Sequence, residues 1–513
     1  MSKEHILAFD LGTSGNKSAL YNQQGELLST AFWPYETSYP QPGWAEHAPM
    51  DWWRSVKMST QQLMDKTKIR PESIDCICIS GHGIGVVPVD KKGTLLREKT
   101  LLWSDSRALP QAREFFKKVD FNAWYRLTGN ALRAENHAAF KIMWHRDHEP
   151  DMFNKTYKFI GTKDFINLKL TGVIMSDFSD ASFSGVYDLE KWAYSDRMID
   201  SAGLPMEKLP DLCPSTHVLG ELLPDAADEL GLVKGITVVC GGYDGSCTAL
   251  GAGNFRQGRV YNYVGSSSWI SCAADKPLID EKTKPYCSAH VIPGMFNSTV
   301  SIYSAGSSFQ WLRNTLCKDE MVAGQLLDLD PYTVMEKEAQ RVPIGSHRLL
   351  FNPSLMGGST IHPTPHIRGA YFGLSLSHTK ADMIRATMEG VAMDLRLVLD
   401  VFRGMGIKAE ELRIVGGGSK GTLWRQIFAD VYKSSIILTN VGQEAAALGA
   451  ATIGAVGTGM WKDFSMVDAI AKTVEVTRPI AENTSAYEKL LPIHRFATDK
   501  LLEIGDMMAA VEH

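Results

Sequence analysis

The chain has 513 residues, too many for one ordinary hydrophobic core, so roughly two to four domains are expected. Hydrophobic residues make up 44% and charged residues 22%, the balance of a globular protein in water. A net charge of −5 offers no basic face for nucleic acid, and no apolar run approaches the roughly 20 residues that span a bilayer.

The first elements read as a β-meander. Ile6–Asp10 and Lys17–Asn22 make a hairpin, and Gly25 turns the chain into Leu27–Phe32. The hairpin turn, Gly12-Thr13-Ser14-Gly15, bares backbone N–H groups and adds two hydroxyls, the equipment of a phosphate cradle. The run Ile6–Phe9 is too short for a signal peptide, and the eight cysteines include no C-x-x-C pair, which together place the protein in the cytoplasm. A loop through Pro40-Gln41-Pro42-Gly43-Trp44 leads to a helix over about Met50–Lys66 and a buried strand, Ile74–Ser80. Cys76 and Cys78 alternate within that strand and should face one way into packing. The strand enters Gly81-His82-Gly83-Ile84-Gly85, Val86–Val89 follows as another strand, and helical spacing takes over at Leu109–Lys117, Ala138–Asp147 and Thr162–Leu170.

The pattern then restarts. Strand Thr237–Cys240 runs into Gly241-Gly242-Tyr243-Asp244-Gly245 and a helix of small residues, Ser246–Gly253. Val260–Ser271 reads as a second hairpin whose turn, Gly265-Ser266-Ser267, copies the first. Two such turns predict two clamps on one nucleotide, the first alone carrying a carboxylate, Asp10. Strand Arg413–Val415, the turn Gly416–Gly421, helix Thr422–Tyr432 and strand Ile436–Thr439 precede a second small-residue helix from Glu444. The two small-residue helices are expected to cross at a domain interface. Ser465–His513 reads as closing helices without chemistry.

These motifs together resemble the FGGY carbohydrate kinases, the group of xylulokinases, glycerol kinases and gluconate kinases. The likeness spans nearly the whole chain. It is carried by Asp10-Leu11-Gly12-Thr13-Ser14, Gly242-Tyr243-Asp244-Gly245, and above all Gly369-Ala370-Tyr371-Phe372-Gly373-Leu374 followed by Asp382–Glu389. The resemblance implies an α/β fold of two actin-like (ribonuclease H-like) domains, each a five-stranded mixed sheet with helices, closing on ATP. It divides the chain into an N-terminal domain over 1–247 and a C-terminal domain over 248–513. It also implies ATP and Mg²⁺ as cofactors, a small sugar or polyol as acceptor, and leaves room for a homodimer. Because actin and chaperones share the fold, a nucleotide-switched binding protein is the rival reading, and glycerol and gluconate are rival substrates.

The resemblance also assigns roles. Asp244 stands at the position of the catalytic base, and with Asp10 it can face Mg²⁺; locally Asp244 is as readily a helix cap and Asp10 a turn-stabilising residue. Gly12, Thr13, Ser14 and Lys17 on one side, and Gly265, Ser266, Ser267, Gly306 and Gln310 on the other, would hold phosphates. Gly417, Gly418 and Ser419 would take the adenosine against bare backbone. On the sugar side stand His82, Asp105 (with Arg107 holding it) and Asn136; His82 can bond a sugar hydroxyl or nearby backbone. Many xylulokinases carry Gln-Met-His-Gly where this chain has His82-Gly83-Ile84-Gly85, so D-xylulose is expected to be a secondary substrate.

Overall fold

The computed structural model describes residues 4–131, 133–362 and 364–511. By packing, the chain forms two compact units that interleave in sequence. One holds Met1–Phe255, Ala273–Ser298 and Glu444–Ala471; the other holds Arg256–Cys272, Thr299–Gln443 and Lys472–His513. The sequence reading expects a single cut near residue 247 instead. By packing, two segments beyond that cut join the first unit: Ala273–Ser298, and Glu444–Ala471 with the second small-residue helix Ala445–Gly457.

The first unit is built on a six-stranded sheet in the order Val218–Glu221, Thr237–Tyr243, Ile74–Gly81, His5–Leu11, Gly15–Asn22, Leu27–Pro34. The three central strands run parallel, and the hairpins at either side are antiparallel. The edge strand Val218–Glu221 is one more than the five expected. Parallel strands are buried on both faces, which is why Ile74–Gly81 is nearly all apolar. Leu7, Phe9, Ile77 and Ile79 point to the face covered by helix Pro49–Thr67, whose Trp52, Trp53, Val56 and Leu63 recur at helical spacing. Pro49 fits the start of that helix because its missing N–H would have had no partner there.

The opposite face, bearing Ile6, Cys76 and Cys78, is covered by Ala445–Gly457. A carbon added at Gly454 would lie 3.0 Å from both cysteines. The alternating cysteines are therefore packing residues, and all eight cysteines of the chain are buried. Helix Ala445–Gly457 also crosses helix Asp244–Gly251 with the two backbones touching. A Cβ at Gly449 would stand 2.0 Å from the Cys247 carbonyl oxygen, and one at Gly251 would stand 1.8 Å from that of Ala445. The two small-residue helices thus cross each other, as expected, but inside the first unit.

In the second unit Val260–Val264 pairs antiparallel with Ser268–Ala274 and parallel with Glu411–Val415. Ser435–Thr439 continues the parallel run, and Thr473–Thr477 adds antiparallel to it. That last strand was read as part of a closing helical segment. Its exposed alternation, Thr-Val-Glu-Val-Thr, belongs to a sheet edge, which buries too little to show in hydrophobic periodicity. Helix Ala481–Ala509 does close the chain as read, and residues 512–513 of that segment lie outside the described residues.

The helix crossing makes a prediction. Gly449→Ala should cost about 1–3 kcal/mol by overpacking against a backbone that cannot move aside, lowering the thermal midpoint by several degrees. Gly442→Ala, whose added carbon meets nothing within 4 Å, should leave it unchanged in the same calorimetric scan.

Candidate active site

The first unit gathers its chemistry at the carboxyl ends of its three parallel strands, where open α/β sheets present ligand crevices. Asp10 pairs with Ser80 and Ser80 with Gly242; one residue further, Leu11, Gly81 and Tyr243 stand side by side. The chain then leaves the sheet at Gly12, His82 and Asp244, bringing the first hairpin turn, the His82 loop and the start of helix Asp244–Gly251 together. The Gly241-Gly242 pair lets this happen. The ladder slips between Val239 and Gly242, and Gly241 adopts φ +75°, where a Cβ would sit 1.9 Å from the Ile79 carbonyl oxygen.

Burial and the neighbouring Asp10 push the Asp244 carboxyl up to about 7, against the pull of the Gly245 N–H. Asp10 is also pushed up by burial, opposed by Lys17 and by the Ser80 hydroxyl, which donates to Asp10 Oδ1 at 3.1 Å. Lys17 lies opposite Asp10 in the hairpin register and 3.6 Å from Glu444 Oε1. In the turn, Gly12 N–H donates to Gly15 O at 3.0 Å and Tyr35 N–H to Ser14 O at 3.2 Å. The Tyr35 hydroxyl donates to Gly12 O, and Trp103 Nε1–H donates to Thr13 Oγ1 at 3.1 Å.

His82 continues the same strand. Its N–H donates to Leu11 O at 2.9 Å, its Nδ1 lies 3.2 Å from Thr162 Oγ1, and its Nε2 has no partner among the described residues. Burial, with His47 and Lys141 nearby, pushes its pKa down to about 3, so the ring is neutral. Asn136 is buried at the end of a short 3₁₀ turn, its Oδ1 also without a partner among the described residues. Asp105 is fully buried, with both oxygens engaged: Oδ1 by Arg107 Nε at 2.9 Å, Oδ2 by Arg107 Nη2 and Ala45 N–H at 2.7 Å each. Arg107 does hold it, and also meets Glu46 at 2.8 Å and stacks 3.6 Å over the Trp44 ring.

Sequence reading missed a buried ionic group beneath this corner. Lys163 pairs with Asp164 at 2.5 Å and Asp177 at 3.0 Å, and Asp180 stands close by with Oδ1 unpartnered among the described residues. The signal was in Thr162-Lys163-Asp164 and Ser176-Asp177-Phe178-Ser179-Asp180, where charges recur inside segments otherwise patterned as buried.

In the second unit a cavity of about 500 Å³ is lined by Gly265, Ser266, Gly306, Gln310, Gly417 and Gly418, six of the residues assigned to the nucleotide. Ser419 lies behind it, its hydroxyl donating to Gly416 O at 2.7 Å. The Ser267 carbonyl accepts from Gly265 N–H at 2.9 Å and so closes the second hairpin turn. Helix Gly306–Leu316 starts against that turn, with Gly306 N–H on Gly265 O at 2.9 Å and Ser307 N–H on Ser266 O at 3.0 Å. A Cβ at Gly306 would fall 2.4 Å from Gly265 O, so only glycine fits. The cavity's aromatic wall was not foreseen: Phe309 stacks on Tyr332 with centroids 5.3 Å apart, and Trp424 lies against Phe309.

Comparison with known proteins decides the family. The model for the FGGY family of carbohydrate kinases matches residues 5–251 with its N-terminal domain and residues 260–458 with its C-terminal domain. The chain belongs to the FGGY family of carbohydrate kinases. It is 28% identical over 493 residues to a xylulose kinase of Bacillus subtilis, covering 96% of each chain. A gluconokinase of the same organism is 29% identical over 497 residues, covering 95% of this chain and 94% of the relative. The crystal structure of a xylulose kinase from Rhodospirillum rubrum superposes with a TM-score of 0.88 at 28% identity, covering 98% of this chain and all of that one. An FGGY kinase is an ATP-dependent sugar kinase with the two-domain fold of the actin-like ATPases, and this chain is one.

The raised Asp244 carboxyl sets a pH dependence. A base at Asp244 would act only when ionised, so in that role kcat/KM for the acceptor should climb about tenfold per pH unit below 7 and level off above it. The sign for stability is opposite: folding raises its proton affinity, so its contribution falls as pH rises from about 4 to 7. A kcat/KM profile flat between pH 5.5 and 8 would remove Asp244 as the titrating base.

Proposed function

We propose that this kinase transfers the γ-phosphoryl group of ATP to a hydroxyl of a ketopentose or a related four- to six-carbon polyol, with Asp244 as general base. The observation that carries the reading is Asp244 beside Asp10 at the sheet's carboxyl end, its proton affinity raised to near neutrality. A base so poised takes the acceptor's proton as transfer proceeds, without first making an alkoxide. Thr13 and Ser14 of the hairpin turn offer hydroxyl donors for phosphate oxygens, Gly12 keeps the turn free of a side chain, and Lys17 supplies charge. The cavity of the second unit takes the nucleotide, with Gly265 and Ser266 at its phosphates and Gly417 and Gly418 against its adenosine.

Asp10 and Asp244 fit Mg²⁺. They offer hard oxygen donors, and no cluster of three or more acidic, histidine or cysteine side chains forms a cage among the described residues. That donor set suits an ion that keeps most of its waters and takes phosphate oxygens as ligands. When bound, Mg²⁺ would neutralise phosphate charge. The relatives' names divide between xylulose and gluconate, and the neutral His82, its buried Nε2 without a partner among the described residues, in place of the usual glutamine supports an acceptor other than D-xylulose as the better one. Eight buried thiols support a reducing compartment, the cytoplasm.

A coupled assay over ketoses, aldoses and polyols tests the proposal. The wild type should turn over at least one four- to six-carbon ketose or polyol, and Asp244→Asn should lose at least about 10²-fold in kcat with ATP KM nearly unchanged. Asp10→Ala should shift the Mg²⁺ titration of activity to higher concentration. Normal turnover by Asp244→Asn would contradict the reading, and D-xylulose as the best acceptor of the panel would contradict only its preference for another acceptor.

A further inference from the structure

Tyr243 precedes the base Asp244, and its ring is held in an unusual way. A Cβ at Gly83 would lie 2.7 Å from Tyr243 Cδ2 and 2.9 Å from Cε2, so the ring fills the room a side chain at position 83 would need. A Cβ at Gly245 would lie 2.5 Å from Cε1, so a second glycine flanks the ring. Phe183 packs against it with centroids 4.5 Å apart. The backbone is pinned as well. Tyr243 N–H donates to Ser179 Oγ at 3.0 Å, Ser179 Oγ–H donates to Asp177 Oδ2 at 2.5 Å, and Asp177 is tied to Lys163. Despite this packing, Tyr243 and Asp244 both stay partly exposed. Asp180 Oδ1 lies 3.1 Å from the same Cβ position at Gly83, buried and without a partner among the described residues.

A pinned, partly exposed aromatic side chain beside a half-buried carboxylate with one unpartnered oxygen is what a polyhydroxylated carbon chain needs. The C–H groups lie on the ring, and a hydroxyl satisfies the polar atom. We infer that Tyr243 and Asp180 form the acceptor subsite of this kinase, the Tyr243 ring as platform for the sugar's carbon chain and Asp180 as hydrogen-bond partner to one of its hydroxyls. This rests on the kinase reading above and deepens it. The pinned ring fixes where the carbon chain lies relative to Asp244, so the subsite selects which hydroxyl meets the base.

Steady-state kinetics with the best acceptor of the panel, together with calorimetric binding of ADP and of the acceptor, test the inference. Tyr243→Ala and Asp180→Ala should each raise acceptor KM at least tenfold, with ATP KM and ADP affinity within twofold of wild type. Tyr243→Phe, which keeps the ring and secures the fold, should hold acceptor KM within threefold. Gly83→Ala, which must displace the ring, should change the order of preference among acceptors. An acceptor KM within twofold of wild type in Tyr243→Ala, or the full loss in Tyr243→Phe, would overturn the platform. If the wild type phosphorylates nothing on the panel while still binding ADP, the kinase reading itself fails. Calorimetric binding of the same compounds then decides the subsite, supported if Tyr243→Ala abolishes it and overturned if binding is absent or unchanged.

Discussion

Two carboxylates share one half-buried corner, and much else in the first unit serves that arrangement. Asp10 and Asp244 come from strands separated by one other strand, each at the point where its strand ends. Placed there they repel, and burial removes the water that would screen them. Burial first, and the Asp10 charge second, lift Asp244 towards neutrality, while burial also raises Asp10 against the opposing pull of Lys17 and the Ser80 hydroxyl. Asp244 is thereby brought to the range in which the proposed base would exchange a proton at physiological pH.

Holding that corner demands close backbone contact, which explains where the glycines fall. Gly241 permits the ladder slip that turns Asp244 out of the sheet, and Gly251 with Gly449 lets the helix behind Asp244 lie directly on Ala445–Gly457. That second helix comes from residues far along the chain and seals the sheet face beneath Asp10. The Lys163–Asp177–Ser179 chain braces the same turn from the other side. A buried ionic group of this kind adds little net stability, and its contribution here is to fix the position of the Tyr243 backbone.

Much of this was legible from residues alone. Both hairpins, the strand into Gly241–Gly245 and the crossing small-residue helices follow from glycine placement and hydrophobic period, because those signals are local, while the nucleotide-side residues Gly306, Gln310, Gly417 and Gly418 come from the family resemblance. The edge strand Thr473–Thr477 escaped because an exposed strand buries nothing that periodicity detects. Arg107 holds Asp105 as its place two residues on suggested, whereas the Ala45 N–H on the same carboxylate is a pairing across sixty residues of chain that leaves no local mark. The wall of Phe309, Tyr332 and Trp424 was missed for the same reason. Each is an ordinary residue in its own segment, and only tertiary packing brings it to a site.

The shared corner is open to direct titration. In protein labelled with ¹³C at aspartate carboxyls, one signal, assigned by its loss in Asp244→Asn, should titrate near 7 and move down in Asp10→Asn, where the repelling charge is gone. An Asp244 carboxyl that titrates near 4 in the wild type, or one indifferent to Asp10→Asn, would contradict the account.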